Sequence, residues 1–328
     1  MQKIEPFKPP LILSNRHVQT LYSTFLRKNI DIDFDIEIFT LEDGDFVECF
    51  WYEKPKRDDT LPIVVIFHGL EGSYRSPYIQ GIMDKLYKNG YSPVLMHFRG
   101  CGNKQNLKAR QYHSGDTGDA KEWIEHISKR YKNSQIFAIG YSLGGNMLLK
   151  LLGEMGKSGD IPLISMAVSV SAPMLLSNSV KEINRGFSKV YQWHLLKHLK
   201  NSLKKKYRSH PLESLIGLKE KDIDKISTIY EFDDIYTAKI HNFVTAKNYY
   251  NKSSSRQYLK YITTPTLIIH SLDDPFMTKE ILPSKSEISN SVELEISSYG
   301  GHLGFIDGSF NKPKYWLEDK ILDYFKRV

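Results

Sequence analysis

Two rhythms of apolar residues alternate along this chain. Short unbroken runs, Ile63 to Phe67, Pro93 to Phe98, Gln135 to Gly140, Leu163 to Val170 and Thr266 to His270, have no polar alternation, and Val292 to Ser298 reads as a further strand. They suit strands covered on both faces of a parallel sheet. Between them lie stretches with helical spacing: Ser76 to Lys88, Asp116 to Tyr131 with Ala120, Trp123, Ile124 and Ile127 on one side, the leucines of Asn146 to Leu152, and a closing segment from Lys314 to Lys326. Thr278 to Lys285 predicts a further helix or turn. Upstream, Ile36 to Thr40 and Phe46 to Tyr52 flank Glu42-Asp43-Gly44-Asp45, and an Asp-Gly turn between β-forming runs predicts an antiparallel hairpin.

This order predicts an open, mostly parallel α/β sheet with helices on both faces, opened by the hairpin. Residues 1–30 read as an irregular arm laid over the domain, with one short helix. The alternation stops between residues 175 and 258, where Val180, Ile183, Phe187, Val190, Leu195 and Leu199 recur at helical intervals. A helical cap inserted into a single 328-residue domain is the expected organisation.

Composition changes this picture only in detail. Hydrophobic residues at 41% and charged residues at 25% are ordinary for a folded globular chain. No run approaches the roughly 18 apolar residues that a bilayer span needs, and Met1 to Pro10 lacks the apolar core of a signal peptide. Two cysteines, Cys49 and Cys101, suggest neither a disulfide framework nor a metal cluster. A cytoplasmic protein is therefore expected. The net charge of +7 is localised: residues 173–258 hold 16 Lys/Arg against 8 Asp/Glu, a net of +8, so the rest of the chain nets −1. The lysine run from Lys197 to Arg208 would suit phosphate groups or an anionic membrane, or it is a solvated helix face; its aromatic residues, Trp193 and Tyr207, are too sparse for nucleic acid.

The candidate chemistry starts at Gly140-Tyr141-Ser142-Leu143-Gly144-Gly145, between a predicted strand and a predicted helix. In that context a G-x-S-x-G turn lifts the serine hydroxyl above the strand ends and aims a helix N-terminus at it. Ligand sites of open parallel sheets form at the carboxyl ends of the strands, and three further strand ends carry suitable residues. His302 follows Gly300-Gly301 and would act as general base, with Asp273 orienting it; the adjacent Asp274 is the alternative acid. Backbone amides of Leu70 and Leu143 are the expected oxyanion donors. His97 and His113 are lesser candidates for the base, and Cys101 is a weaker nucleophile candidate because nothing around it forms a comparable turn.

Taken together, Asn15-Arg16-His17-Val18-Gln19-Thr20, His68-Gly69-Leu70-Glu71-Gly72-Ser73, Phe98-Arg99-Gly100-Cys101, Tyr112-His113-Ser114-Gly115, Gly140 to Asn146, Asp273-Asp274-Pro275-Phe276 and Gly300 to Phe305 resemble the YheT-like family of α/β-hydrolases, relatives of plant embryogenesis-associated proteins and ABHD lipases. The resemblance implies a carboxylester hydrolase with Ser142, Asp273 and His302 in the triad positions. The leading expectation is an esterase for small or medium acyl esters, with the helical cap supplying an apolar acyl pocket; no metal or organic cofactor is expected, since no ligand cluster or dinucleotide loop stands in the right context. The alternatives are a lipase or phospholipase working at an anionic membrane, and a non-catalytic binding protein that keeps the fold. A dehalogenase is disfavoured, since its nucleophile would be a carboxylate where Ser142 stands.

Overall fold

The computed structural model describes residues 7–327 of the chain, so the first six residues of the expected arm lie outside the described residues. The arm contributes helix α1 (Arg16–Leu26), whose N-terminus is capped by Asn15: its side-chain oxygen accepts from the amides of His17 and Val18. The hairpin follows as β1 (Asp35–Thr40) and β2 (Phe46–Trp51). Then come β3 (Ile63–Phe67), α2 (Pro77–Tyr87), β4 (Ser92–Met96), α3 (Gly118–Arg130), β5 (Ile136–Tyr141), α4 (Leu143–Ser158) and β6 (Met166–Val170).

Between β6 and β7 (Thr266–Ser271) the chain is helical, with α5 (Leu176–Ile183), α6 (Ser188–Tyr207), α7 (Leu212–Ile216), α8 (Ile229–Phe232), α9 (Ala238–Ile240) and α10 (Ala246–Ser253). The strand β8 (Val292–Ser297), a small hairpin of β9 (Ile306–Ser309) and β10 (Lys312–Tyr315), and α11 (Trp316–Phe325) close the chain. The eight-stranded sheet runs β1-β2-β4-β3-β5-β6-β7-β8. The pairs β1–β2 and β2–β4 are antiparallel and the other five are parallel. Every residue of β3, β4, β5, β6 and β7 is buried, as continuous apolar runs require.

Some elements differ from their expectation for local reasons. The helical spacing from Val180 to Leu199 is broken at Gly186 (φ 48°), and Phe187 and Val190 turn outward to more than half exposure instead of joining the core. The closing helix starts at Trp316, because Lys312–Tyr315 pairs with β9. Thr278 to Lys285 yields only short 3₁₀ turns, at Lys279–Ile281 and Lys285–Glu287.

Charged side chains fix the loop after β4 against both the hairpin and the cap. The buried guanidinium of Arg99 binds Asp119 through two bonds (2.6 and 2.7 Å) and also reaches Asp43 and Asp45 (2.8 and 3.0 Å). Burial alone would raise the Asp45 carboxyl, but donors from Asn106 and the amides of Leu107, Phe46 and Lys108 outweigh it and hold it at about 2. Lys206 of α6, fully buried, donates from Nζ to the carbonyls of Asn106 and Lys108 (2.8 and 2.7 Å) and so ties the cap to this loop. Replacing Arg99 by Met strands two buried carboxylates, at a cost of about 3–5 kcal/mol. A corresponding fall in the urea midpoint is expected, with no change if the network is dispensable. Because the folded-state pKa of Asp45 is depressed, its stabilisation is present above about pH 4 and is lost as pH falls through about 2; Asp45→Asn should therefore be less stable at neutral pH and show a shallower acid limb.

Candidate active site

The turn between β5 and α4 holds Ser142 at φ 51° and ψ −117°, a conformation that costs a non-glycine residue of order 1–3 kcal/mol. The surrounding packing compels it. A Cβ on Gly140 would lie 2.5 Å from the carbonyl oxygen of Gly144, and one on Gly144 would lie 2.5 Å from that of His68, so strand and helix approach closely only because both positions lack a side chain. The Ser142 amide donates to the Val170 carbonyl (2.8 Å), and the Gly144 amide to the His68 carbonyl (3.1 Å). The hydroxyl therefore projects past the strand ends at the N-terminus of the 16-residue α4.

His302 Nε2 lies 2.8 Å from Ser142 Oγ, and its Nδ1 lies 2.8 Å from Oδ2 of Asp274. The carboxylate fixes the ring proton on Nδ1, leaving Nε2 to accept from the serine hydroxyl. Here the expectation for Asp273 is corrected: Asp273 does not reach the imidazole. Adjacent residues of the turn point apart. Asp274, 1% exposed, accepts the Phe276 amide at Oδ1 (2.8 Å) and turns its other oxygen to His302. Asp273 accepts instead from the Gly301 amide (2.9 Å), so it holds the histidine loop by its backbone. Burial raises the Asp273 carboxyl above its ordinary range, partly offset by the Gly301 amide.

The histidine loop rests on the N-terminal arm, a support that sequence reasoning missed. Thr20 Oγ1 accepts from the His302 amide (3.1 Å). The fully buried Gln19 donates from Nε2 to the carbonyls of Leu13 and Ile306 (2.7 and 3.0 Å), and its Oε1 accepts the Ile306 amide (2.7 Å). A capped helix carrying adjacent polar residues that turn inward was the available signal. On the other wall the Phe276 ring lies 4.2 Å from that of His302.

Leu70 and Leu143 both border the cavity beside Ser142. Among the hydrogen bonds of the described residues, neither backbone amide donates to a protein acceptor. The Leu70 loop is braced from three sides: Tyr78 Oη accepts the Gly69 amide (3.0 Å), Tyr112 Oη accepts the Glu71 amide (2.9 Å) and donates to Glu71 Oε1 (3.0 Å), and Ser202 of α6 donates to Glu71 Oε2 (3.0 Å). Glu71 itself sits at φ 54°.

The remaining candidates have other employment. His97 is fully buried, Nδ1 donating to the Glu48 carbonyl and Nε2 accepting the Tyr74 amide, and burial lowers it to about 3. Burial pushes the Cys101 thiol up, away from the thiolate. His113, Asp116 and His241 bring one possible ligand atom each within 4.8 Å of one another, the nearest approach to a metal set among the described residues. There Arg110 Nη1 already donates to Asp116 (2.9 Å), so that carboxylate has a cationic partner from the protein itself.

Above Ser142 and His302 lies a cavity of about 440 Å³. Its floor is the sheet's carboxyl edge, and its walls are cap residues including Leu176, Val180, Ile183, Leu199, Ile229 and Phe232. This is a mainly apolar space with a few converging polar groups at one end, the usual form of a small-molecule site.

Comparison with known proteins agrees with this architecture. Residues 62–309 match the model of the alpha/beta hydrolase fold. YheT of Escherichia coli is 40% identical over 97% of this chain and 92% of its own, and the monoacylglycerol lipase of Saccharomyces cerevisiae is 30% identical over 83% of this chain and 61% of its own. Among solved structures, the esterase Pf2001 of Pyrococcus furiosus aligns with a TM-score of 0.56 at 16% identity, over 98% of this chain and 99% of that one. With this coverage and identity, the chain belongs to the YheT-like family of α/β-hydrolases.

Proposed function

We propose that the protein is a serine carboxylic-ester hydrolase acting on small or medium acyl esters through an acyl-enzyme. The observation that carries the reading is the continuous chain Ser142–His302–Asp274, with both links at 2.8 Å, on the floor of an apolar cavity.

In this reading His302 Nε2 takes the proton of Ser142 Oγ as the oxygen attacks the ester carbonyl. Asp274 stabilises the resulting imidazolium without itself taking the proton. The negative oxygen of the tetrahedral intermediate is held by the amides of Leu70 and Leu143, donors already in place before the charge develops. The imidazolium then protonates the leaving alcohol, the acyl group remains on Ser142, and water activated by the same ring releases it. The acyl chain lies against the cap residues, where burial of each methylene contributes about 0.8 kcal/mol. The names of the relatives, a monoacylglycerol lipase and an esterase, support ester substrates.

Three outcomes test the assignment. A fluorophosphonate probe should label the wild type and not Ser142→Ala; an unlabelled wild type on a broad ester panel would favour the non-catalytic reading. Asp274→Asn should lower kcat about 10⁴-fold, as loss of the orienting carboxylate does in serine hydrolases, whereas Asp273→Asn should cost far less. The reverse ranking would return the role to Asp273. In a p-nitrophenyl ester series kcat/KM should rise up to about fourfold per added methylene until the cavity is filled, then fall; a flat series would remove the cavity as the acyl site.

A further inference from the structure

The most exposed residues that line the cavity above Ser142 lie together on one side. Of the residues lining it, Thr24, His194 and His198 are the exposed ones, so it meets solvent between α1 and α6. Both rims of that mouth present apolar side chains outward. On α1, Phe25 next to Thr24 is 73% exposed, followed by the exposed Leu26; on the α6 side, Trp193 next to His194 is 65% exposed. Phe187, Val190 and Trp193 recur every three residues and form one stripe, which Lys197 continues with its ammonium 5.5 Å from the centre of the Trp193 ring. The rims are also joined: the His17 ring of α1 packs 4.4 Å from that of Phe187.

The two helices that flank the mouth carry charge of one sign. Neither Arg16–Leu26 nor Ser188–Tyr207 contains an Asp or Glu, while α6 carries six lysines. Lys204 is engaged with Asp224, and Glu182 below the stripe is engaged with Arg185, but Lys189 and Lys197 stand exposed beside Val190 and Trp193. A tryptophan and aliphatic side chains flanked by lysines, with no carboxylate between them, match the headgroup layer of an anionic bilayer, where aromatic rings settle at the interface and basic residues meet lipid phosphates. The position of this stripe at the mouth is what gives it a function.

We propose that this face docks on an anionic lipid surface, with the mouth between α1 and α6 opening into the interface, so that the ester substrate enters from the lipid. The substrate part of this inference rests on the hydrolase reading above; the docking part does not. The test uses flotation of the full chain with vesicles of equal parts phosphatidylglycerol and phosphatidylcholine. Wild-type protein should float with these vesicles at low salt and be released near 1 M salt, where the screening length is about 3 Å. Of the four tryptophans only Trp193 is exposed, so docking should shift the emission to the blue through that residue. The Phe25→Ser/Trp193→Ser double variant should lose flotation and the emission shift, yet turn over a short, water-soluble ester within about twofold of wild type. Each of Lys189→Gln and Lys197→Gln should weaken binding about fivefold.

Wild-type protein that stays in the aqueous fraction, or floats equally well as the double variant, overturns the docking. A concentration-dependent dimer that the double variant dissolves, without vesicle binding, also overturns it and assigns the face to a second copy of the chain. Probe labelling of Ser142 without flotation defeats the docking alone; flotation without labelling leaves the docking standing and defeats the hydrolase reading.

Discussion

The close approach of strand β5 to helix α4 is the constraint on which the rest of this structure depends. Ser142 holds a left-handed backbone only because Gly140 and Gly144 allow carbonyl oxygens to come where a Cβ would otherwise sit. That contact sets the height of the hydroxyl above the sheet, and every other group of the site is placed relative to it. Leu143 presents its amide because it is the first residue of α4, and His302 lies within 2.8 Å because its loop leaves the end of β8. A strained turn of this kind persists only where its surroundings over-determine it, and here a sheet buried on both faces does so.

The second layer of the design is a set of tethers that fix loops by side chains from elsewhere in the chain. Arg99 joins the hairpin turn to α3, Lys206 joins the cap to the loop after β4, Glu71 joins the Leu70 loop to α6, and Gln19 and Thr20 hold the histidine loop. Each tether is partly or fully buried and charged or strongly polar, so losing one partner leaves another without compensation. The cap is thereby held against the core at two places on α6, Ser202 and Lys206. The part of α6 nearer its start is held by Ser188, whose hydroxyl donates to the Pro275 carbonyl (2.6 Å), and by Tyr191 against His17 (3.0 Å), while Trp193 on its other side faces solvent.

Much of this was legible in the residues. Continuous apolar runs fixed the parallel strands because a strand covered on both faces has no reason to alternate, and the Asp-Gly turn located the hairpin. Ser142 and His302 could be brought to one site because each follows a strand and has glycines close by. Asp273 against Asp274 was not legible: both follow β7, and which one faces the ring depends on the course of one turn. The role of Gln19 and Thr20 was equally hidden, since it arises from a contact with residues near the far end of the chain. The outward turn at Phe187 and Val190 escaped detection because helical spacing gives a stripe but not the side on which the partner lies.

The grip of Gln19 on Ile306 spans 287 residues, nearly the length of the molecule. During synthesis the arm precedes β9 and must wait for it before the Gln19 side chain finds both partners. Loop closure over such a distance adds little to the equilibrium cost, since that cost grows only with the logarithm of length, but it places the event late in folding. The sheet and the Ser142 turn can be complete while the imidazole is still unplaced. A nascent chain would thus hold the Ser142 turn before His302 is fixed beside it, a pairing that waits until the arm meets β9.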